Sequence, residues 1–168
     1  MPSGRPPFIY KENVRSMEVS RIIDHGWTVG VFGVIYDDHG RVLISERRDG
    51  KGWNLPGGGA KSRDLIYELA REVMEETGLQ VVGQPILLNQ YPSEELKDMA
   101  LLYIVKISGE PVASVEALRH VFIDRDTLQR EIKLVSQDFP GHRSGRMWAM
   151  VTDALQSFPC IDGMWQKY

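Results

Sequence analysis

The sequence predicts an α/β (α+β) fold in which strands outnumber helices and the helices pack on sheet faces. Three observations predict it. Several short β-branched and aromatic segments are separated by turn signals. One segment, Asp64 to Thr77, carries a clear helical period. No internal repeat, low-complexity tract or linker interrupts the 168 residues, so one domain over residues 1–168 is expected, with 1–7 as a loose Pro- and Gly-rich tail.

Residues 8–25 show no firm period and read as a short strand or helix. Trp27 to Tyr36 is β-branched and aromatic and reads as a largely buried strand. Asp37-Asp38-His39-Gly40 signals a turn, and Arg41 to Arg47 returns as a second strand, so the two form a hairpin. After a turn at Asp49 to Gly52, Trp53-Asn54-Leu55-Pro56-Gly57-Gly58-Gly59 enters a glycine loop, where the backbone turns sharply or approaches something closely. In the helix from Asp64 to Thr77, the residues Leu65, Ile66, Leu69, Ala70, Val73 and Met74 lie on one face. Asp64 or Ser62 can cap its start, and Gly78 stands where a left-handed residue ends a helix. Val81 to Leu88 and Met99 to Ile107 read as strands flanking a polar surface loop, Asn89 to Asp98. Leu118 to Ile123 is a further strand and Asp126 to Val135 a short helix. Pro140 to Gly145 is a loop, and Met147 to Phe158 is a final amphipathic helix.

The balance of 20 Lys and Arg against 23 Asp and Glu gives a net charge of −3. No global basic field is available to attract nucleic acid. The single cysteine, Cys160, cannot form an internal disulfide. No apolar run approaches the ~18 residues needed to span a bilayer, and the N-terminus lacks a signal-peptide apolar stretch. A cytoplasmic location is the expectation.

The central helix carries Glu68, Arg71, Glu72, Glu75 and Glu76. Glu68, Glu72 and Glu76 follow at spacings of four, and Glu72 and Glu75 at three. Carboxylates so placed repel, and they crowd the C-terminal half, where the helix dipole disfavours negative charge. Arg71 relieves part of this through Glu75. A hard divalent cation, Mg²⁺ or Mn²⁺, would relieve more, because it prefers oxygen ligands and takes only a few carboxylates. Such a cation polarises phosphoryl oxygens and lowers the pKa of water, while a neighbouring carboxylate accepts the proton. An acidic stripe by itself reads more simply as a solvated charged face; the glycine loop just before it shifts the balance.

Together these residues resemble the Nudix hydrolase family, whose signature runs Gly, five residues, Glu, seven residues, Arg-Glu-apolar-any-Glu-Glu-any-Gly-apolar. Arg71, Glu72, Val73, Glu75, Glu76, Gly78 and Leu79 match its second half completely, and Gly57 matches the first position by count. The resemblance spans about Trp27 to Ile123. It implies an α-β-α sandwich with a mixed central sheet, and metal-dependent hydrolysis of a nucleoside diphosphate linked to another group. By resemblance, Glu72 and Glu76 are the principal metal ligands, Glu75 supports them, and the Gly58 carbonyl adds a ligand. Arg71 orients a carboxylate through a bidentate contact. Glu116, ahead of the Leu118 strand, is the candidate base. Arg47 and Arg48 are candidate phosphate contacts, and Gly57 and Gly58 bring backbone to the substrate. One departure stands out: Arg63 occupies the position of the first signature Glu, in a loop one residue short. Glu68 or Asp64 is expected to replace that acid in part.

The implied partner is a small nucleotide, with no membrane, no nucleic acid, and homodimerisation left open. Trp27, Tyr91, Phe122 and Trp148 are candidates for stacking a base, against the commoner role of core filler. Two alternatives stay open. Arg63 and the short loop could mark a weak or inactive nucleotide-binding module. An RNA 5′-pyrophosphohydrolase would need a local basic patch, for which Arg143, Arg146 and Lys167 are the residues on hand.

Overall fold

A computed structural model of the chain describes residues 19–130, 132, 134 and 145–165. The expected tail, residues 140–144 of the expected loop (Arg143 among them), Lys167 and most of 131–135 lie outside these residues. Residues 19–24 are helical. The strands are β1 (Thr28–Val34), β2 (Val42–Arg47), β3 (Trp53–Asn54), β4 (Gly57–Gly59), β5 (Gln80–Ser93), β6 (Asp98–Ser108) and β7 (Ala117–Ile123). The helices are α1 (Leu65–Thr77), α2 (Arg125–Arg130) and α3 (Arg146–Trp165).

The strands divide between two sheets. A four-stranded sheet has the order β4-β1-β6-β5, and a three-stranded sheet the order β3-β2-β7. β1 runs parallel to β6 and antiparallel to β4, which makes the first sheet mixed. The apolar run of β6 reflects burial on both faces. Ala100, Leu102 and Ile104 pack into one core with Val42, Ile44 and Met147, Met150, Val151 and Ala154 of α3. Leu101, Tyr103 and Val105 pack into a second core with Leu69 and Val73 of α1. Helices on opposite sides thus enclose the strands, as an α-β-α sandwich requires.

Two expectations need correction. β1 and β2 do not form an extended hairpin. They touch at the Tyr36–Val42 bridge and through Leu43 N–H to Ile35 O, 2.9 Å. Beyond that they diverge, because both edges of β1 are already occupied by β4 and β6. The polar stretch Asn89 to Asp98 is not a loop for most of its length. Asn89 to Ser93 continue β5 and pair with Asp98 to Leu102, leaving only 94–97 as the turn, with Lys97 at φ 50°. Its polar side chains are mostly half-buried, and Asn89 and Tyr91 hydrogen-bond to Asp153. Helix α3 also runs beyond Phe158, to Trp165.

Helix α1 begins and ends where its sequence dictates. The Asp64 carboxylate accepts from Tyr67 N–H at the N-cap, 3.2 Å. Gly78, at φ 76°, closes the helix with its N–H on Met74 O, 2.9 Å. The buried face is rotated from the expected one. It comprises Glu68, Leu69, Glu72, Val73, Glu76 and Thr77, whereas Met74 is 45% exposed.

Candidate active site

The rotation of α1 turns its acidic stripe inward. Glu68, Glu72 and Glu76 are 3%, 9% and 7% exposed, so the reading as a solvated face does not hold for these three. Glu75 lies one step around the helix, and its side chain is 59% exposed. The stripe lies against β4, whose backbone reaches it because the strand is three glycines. Gly57 N–H donates to Glu76 Oε2 at 2.7 Å. A Cβ at Gly57 would stand 2.2 Å from Val31 O, and one at Gly58 would stand 2.9 Å from Glu72 Oε1. The pairing of β4 with Val31 and Phe32 therefore sets how closely the Gly58 backbone approaches Glu72.

Arg71 organises three carboxylates. Its Nη2 donates to Glu68 Oε1 at 2.9 Å and to Glu72 Oε1 at 3.1 Å, and its Nη1 to Glu75 Oε2 at 2.9 Å. These partners, Glu68 first, hold the guanidinium pKa above its usual value. Among the described residues Glu76 has no such cation. Burial raises its pKa to about 8, the Gly57 N–H opposes the rise, and the nearby Glu72 and Glu116 carboxylates add to it. Burial likewise raises Glu72, against the lowering effect of Arg71.

Glu116 comes from the loop ahead of β7 and lies close enough to Glu76 for its carboxylate to help raise the Glu76 pKa. A small cavity is lined by Ser45, Arg47, Asn54, Glu76, Glu116 and Ala117. Arg47 stands at its edge in an ion pair with Asp49, 2.5 Å, and feels Glu76 and Glu116 electrostatically. Arg48 is engaged differently: its Nε donates to Ser114 O at 2.7 Å and its N–H to Glu116 O at 2.9 Å. It fastens the loop that delivers Glu116.

Of the residues singled out in the sequence, the fold brings together Glu72, Glu76, Glu116, Gly57, Gly58 and Arg47. Arg71 stands behind them, and Glu75 and Arg48 point elsewhere. Arg63 faces away, pairing with Asp24 at 2.6 Å. Trp27 and Phe122 pack against one core, Tyr91 and Trp148 against the other. Arg146 binds Asp98 at 2.7 Å and the Tyr91 carbonyl at 3.2 Å, as a structural tie rather than part of a free basic patch.

Sequence reasoning missed Ser45, Asn54 and His120. Ser45 Oγ lies 2.7 Å from His120 Nδ1, and His120 Nε2 lies 2.7 Å from Val112 O. A carbonyl only accepts, so Nε2 carries hydrogen, and in the neutral ring Nδ1 accepts from Ser45. Strand register was the missing signal: Ser45 pairs with both Asn54 and His120 across the second sheet.

The donor set suits a hard divalent cation. It consists of carboxylate and carbonyl oxygens, and among the described residues no side-chain cation pairs with Glu76. Among the described residues no three His, Cys, Asp or Glu side chains form a ready-made cage. Mg²⁺ does not require one, since it binds through one or two carboxylates and keeps several waters. Among the described residues no helix is long and apolar enough to cross a membrane.

Known proteins resemble the chain in both sequence and fold. A Streptomyces ambofaciens MutT-like protein is 36% identical over 83 residues, 49% of this chain and 53% of that protein. A Bacillus subtilis (strain 168) protein, provisionally named an 8-oxo-dGTP diphosphatase, is 29% identical over 84 residues, 49% of this chain and 56% of its own length. The chain thus spans about half the length of the curated relatives it matches. Among solved structures, a Streptococcus suis 89-1591 ADP-ribose pyrophosphatase superposes with TM-score 0.57 at 19% identity, covering 77% of this chain and 90% of that one. A MutT protein from Methanosarcina mazei Go1 gives TM-score 0.58 at 22% identity, covering 81% and 95%. At these identities the superpositions speak for the fold. The NUDIX domain family model matches residues 26–139, a stretch that contains β1 to β7 and the whole acidic face of α1, and the chain belongs to the NUDIX family.

Proposed function

We propose that the chain is a divalent-cation-dependent hydrolase that cleaves the pyrophosphate bond of a nucleoside diphosphate linked to another moiety. One observation carries this reading: Glu72 and Glu76 are buried against the glycine strand, Glu116 lines the same cavity as Glu76, and among the described residues no cation pairs with Glu76. Buried like charges are costly unless a counter-charge meets them. Glu72, Glu76 and the Gly58 carbonyl are the residues that would hold Mg²⁺ or Mn²⁺. When bound there, the cation would polarise phosphoryl oxygens and favour ionisation of a water.

The chain's own groups do the rest. Gly57 N–H fixes one oxygen of Glu76, and Arg71 fixes Glu72. Glu116 would take a proton from the attacking water, on a loop that Arg48 ties through Ser114 O and Glu116 O. Arg47, at the cavity edge, offers its guanidinium to a phosphate once it exchanges Asp49 for it. Ser45 and Asn54 line the same cavity. Glu75, turned outward, supports Arg71 more than it supports a ligand. A small nucleotide is the partner this site fits, and a cytoplasmic location agrees with the single cysteine.

The test is a product-release assay with Mg²⁺ or Mn²⁺. Its panel is set partly by the names of the relatives: canonical and 8-oxo nucleoside triphosphates, ADP-ribose, nucleotide sugars and dinucleoside polyphosphates. Cation-dependent cleavage of at least one compound, abolished by EDTA, is expected. Silence across the panel, with nucleotide still bound, would instead support a non-catalytic nucleotide-binding module.

A further inference from the structure

We infer that Glu68 is a positioning residue for this site, holding the 59–63 loop and, through Arg71, the carboxylate of Glu72. The inference rests on the function proposed above. Glu68 is 3% exposed and does not line the cavity beside Glu76. Its two oxygens are fully engaged. Oε1 accepts from Lys61 N–H at 2.7 Å and from Arg71 Nη2 at 2.9 Å, and Oε2 accepts from Ser62 Oγ at 3.2 Å. The same Arg71 nitrogen donates to Glu72 Oε1 at 3.1 Å.

Glu68 therefore holds both sides of one contact. The loop it holds follows directly from Gly58, which approaches Glu72 so closely that a Cβ would meet both carboxylate oxygens at 2.9 and 3.0 Å. The guanidinium it holds sets the orientation of that same carboxylate. The other acidic candidate near the loop is occupied, because Asp64 caps α1. Arg63 reaches outward to Asp24 and to Ser20 O, away from the site. The loop is thus tied to the helix from inside by Glu68, and Arg63 is left free for a surface contact. Losing the Glu68 charge releases two loop donors and leaves Arg71 free to rotate away from Glu72.

The experiment compares Glu68→Gln, Glu68→Asp and the turn variant Glu95→Gln with the unaltered full chain. Mn²⁺ affinity without nucleotide is read by electron paramagnetic resonance of the free ion, alongside thermal unfolding and kcat and KM for the best-cleaved nucleotide. Glu68→Gln is expected to weaken Mn²⁺ binding and lower kcat, each by about tenfold, the scale seen when a residue supporting a metal ligand is lost. KM should change by less than about threefold and unfolding should stay cooperative. Glu68→Asp, which keeps the charge, should recover part of both losses, and Glu95→Gln should change neither. Mn²⁺ affinity and kcat within about twofold of normal in Glu68→Gln would overturn the inference. So would an equal loss in Glu95→Gln, which would indicate bulk charge. Glu76→Gln separates the two readings: if it abolishes Mn²⁺ binding while Glu68→Gln does not, only the role of Glu68 fails. If Glu76→Gln also binds Mn²⁺ normally, the site itself is misassigned and both fail.

Discussion

The glycine strand, its loop and α1 form one continuous unit, but its two halves spend their charge in opposite ways. In the second half, Glu72 and Glu76 are buried, and only Glu72 has an arginine. Glu76 is left with an N–H donor and two acidic neighbours. In the first half, Lys61, Ser62, Arg63 and Asp64 are exposed, and among the described residues the buried charge holding them is Glu68, which is paired and hydrogen-bonded at both oxygens. A paired buried carboxylate serves structure; an under-compensated one is poised for a ligand. The same residue type, repeated every four positions on one helix, thus takes two roles according to what surrounds it.

The sharpest way to break this contrast is Glu76→Gln. If Glu76 is the poised member, turnover should fall by on the order of 10²–10⁴ with the fold retained, and near-normal turnover would return Glu76 to the structural class. The same variant has a signature in stability. The folded pKa of Glu76 lies near 8, against an ordinary value of 4.5. Between those values the folded protein holds a proton that the unfolded chain has lost, so stability without metal falls as pH rises through this window and stays lowered above it. Gln cannot ionise. Urea unfolding in EDTA should therefore show Glu76→Gln gaining on the unaltered chain between pH 5 and pH 8, by up to a few kcal/mol. An unchanged difference at the two pH values would mean that the charge on Glu76 is compensated after all.

The glycine strand offers a graded test of the same boundary. Gly57→Ala places a Cβ 2.2 Å from Val31 O at a φ of 152° and should disrupt the strand, lowering stability and activity together. The nearest atoms to a Cβ at Gly58 all belong to the Glu72 carboxylate, at 2.9 to 3.0 Å, a side chain that can move. Gly58→Ala should lower turnover by roughly an order of magnitude with little loss of stability. Gly59→Ala has nothing within 4 Å and should change neither. Thermal unfolding and turnover across the three variants check the order, and equal behaviour of Gly58→Ala and Gly59→Ala would remove Gly58 from the site.

Much of this unit was legible in the sequence because its constraints are local. The cap at Asp64, the stop at Gly78 and the spacing of Glu72, Glu75 and Glu76 need only the helical repeat. Which face α1 buries was not legible. An apolar count favours Met74 as buried, yet tertiary placement against β4 buries Glu68 and Glu76 instead. Strand pairing was legible only in part. The segments of β1 and β2 read correctly, but their separation into two sheets depends on β6 arriving from far along the chain to occupy the edge of β1. Ser45, Asn54 and His120 were invisible for the same reason: their meeting is a matter of register between strands, not of spacing along one. Glu116 was suggested by the family resemblance, as an acid just ahead of a strand, whereas its place in the cavity beside Glu76 is a product of the loop that Arg48 fastens.

The smallest expected effect belongs to the most conspicuous departure from the family pattern. Arg63 stands at the first signature acid, and its ion pair with Asp24 joins two side chains 55% and 61% exposed. Exposed pairs contribute about 0–1 kcal/mol and are screened by salt. Arg63→Ala should therefore shift stability by no more than about 1 kcal/mol, with the difference shrinking in high salt. Turnover and Mn²⁺ affinity should stay within about twofold, since the side chain faces the helical residues 19–24 rather than the carboxylates. A large loss of Mn²⁺ affinity in Arg63→Ala, without a matching loss in Glu68→Gln, would reverse the assignment of the two halves: the loop would then be held from outside, and the buried Glu68 would be the dispensable charge.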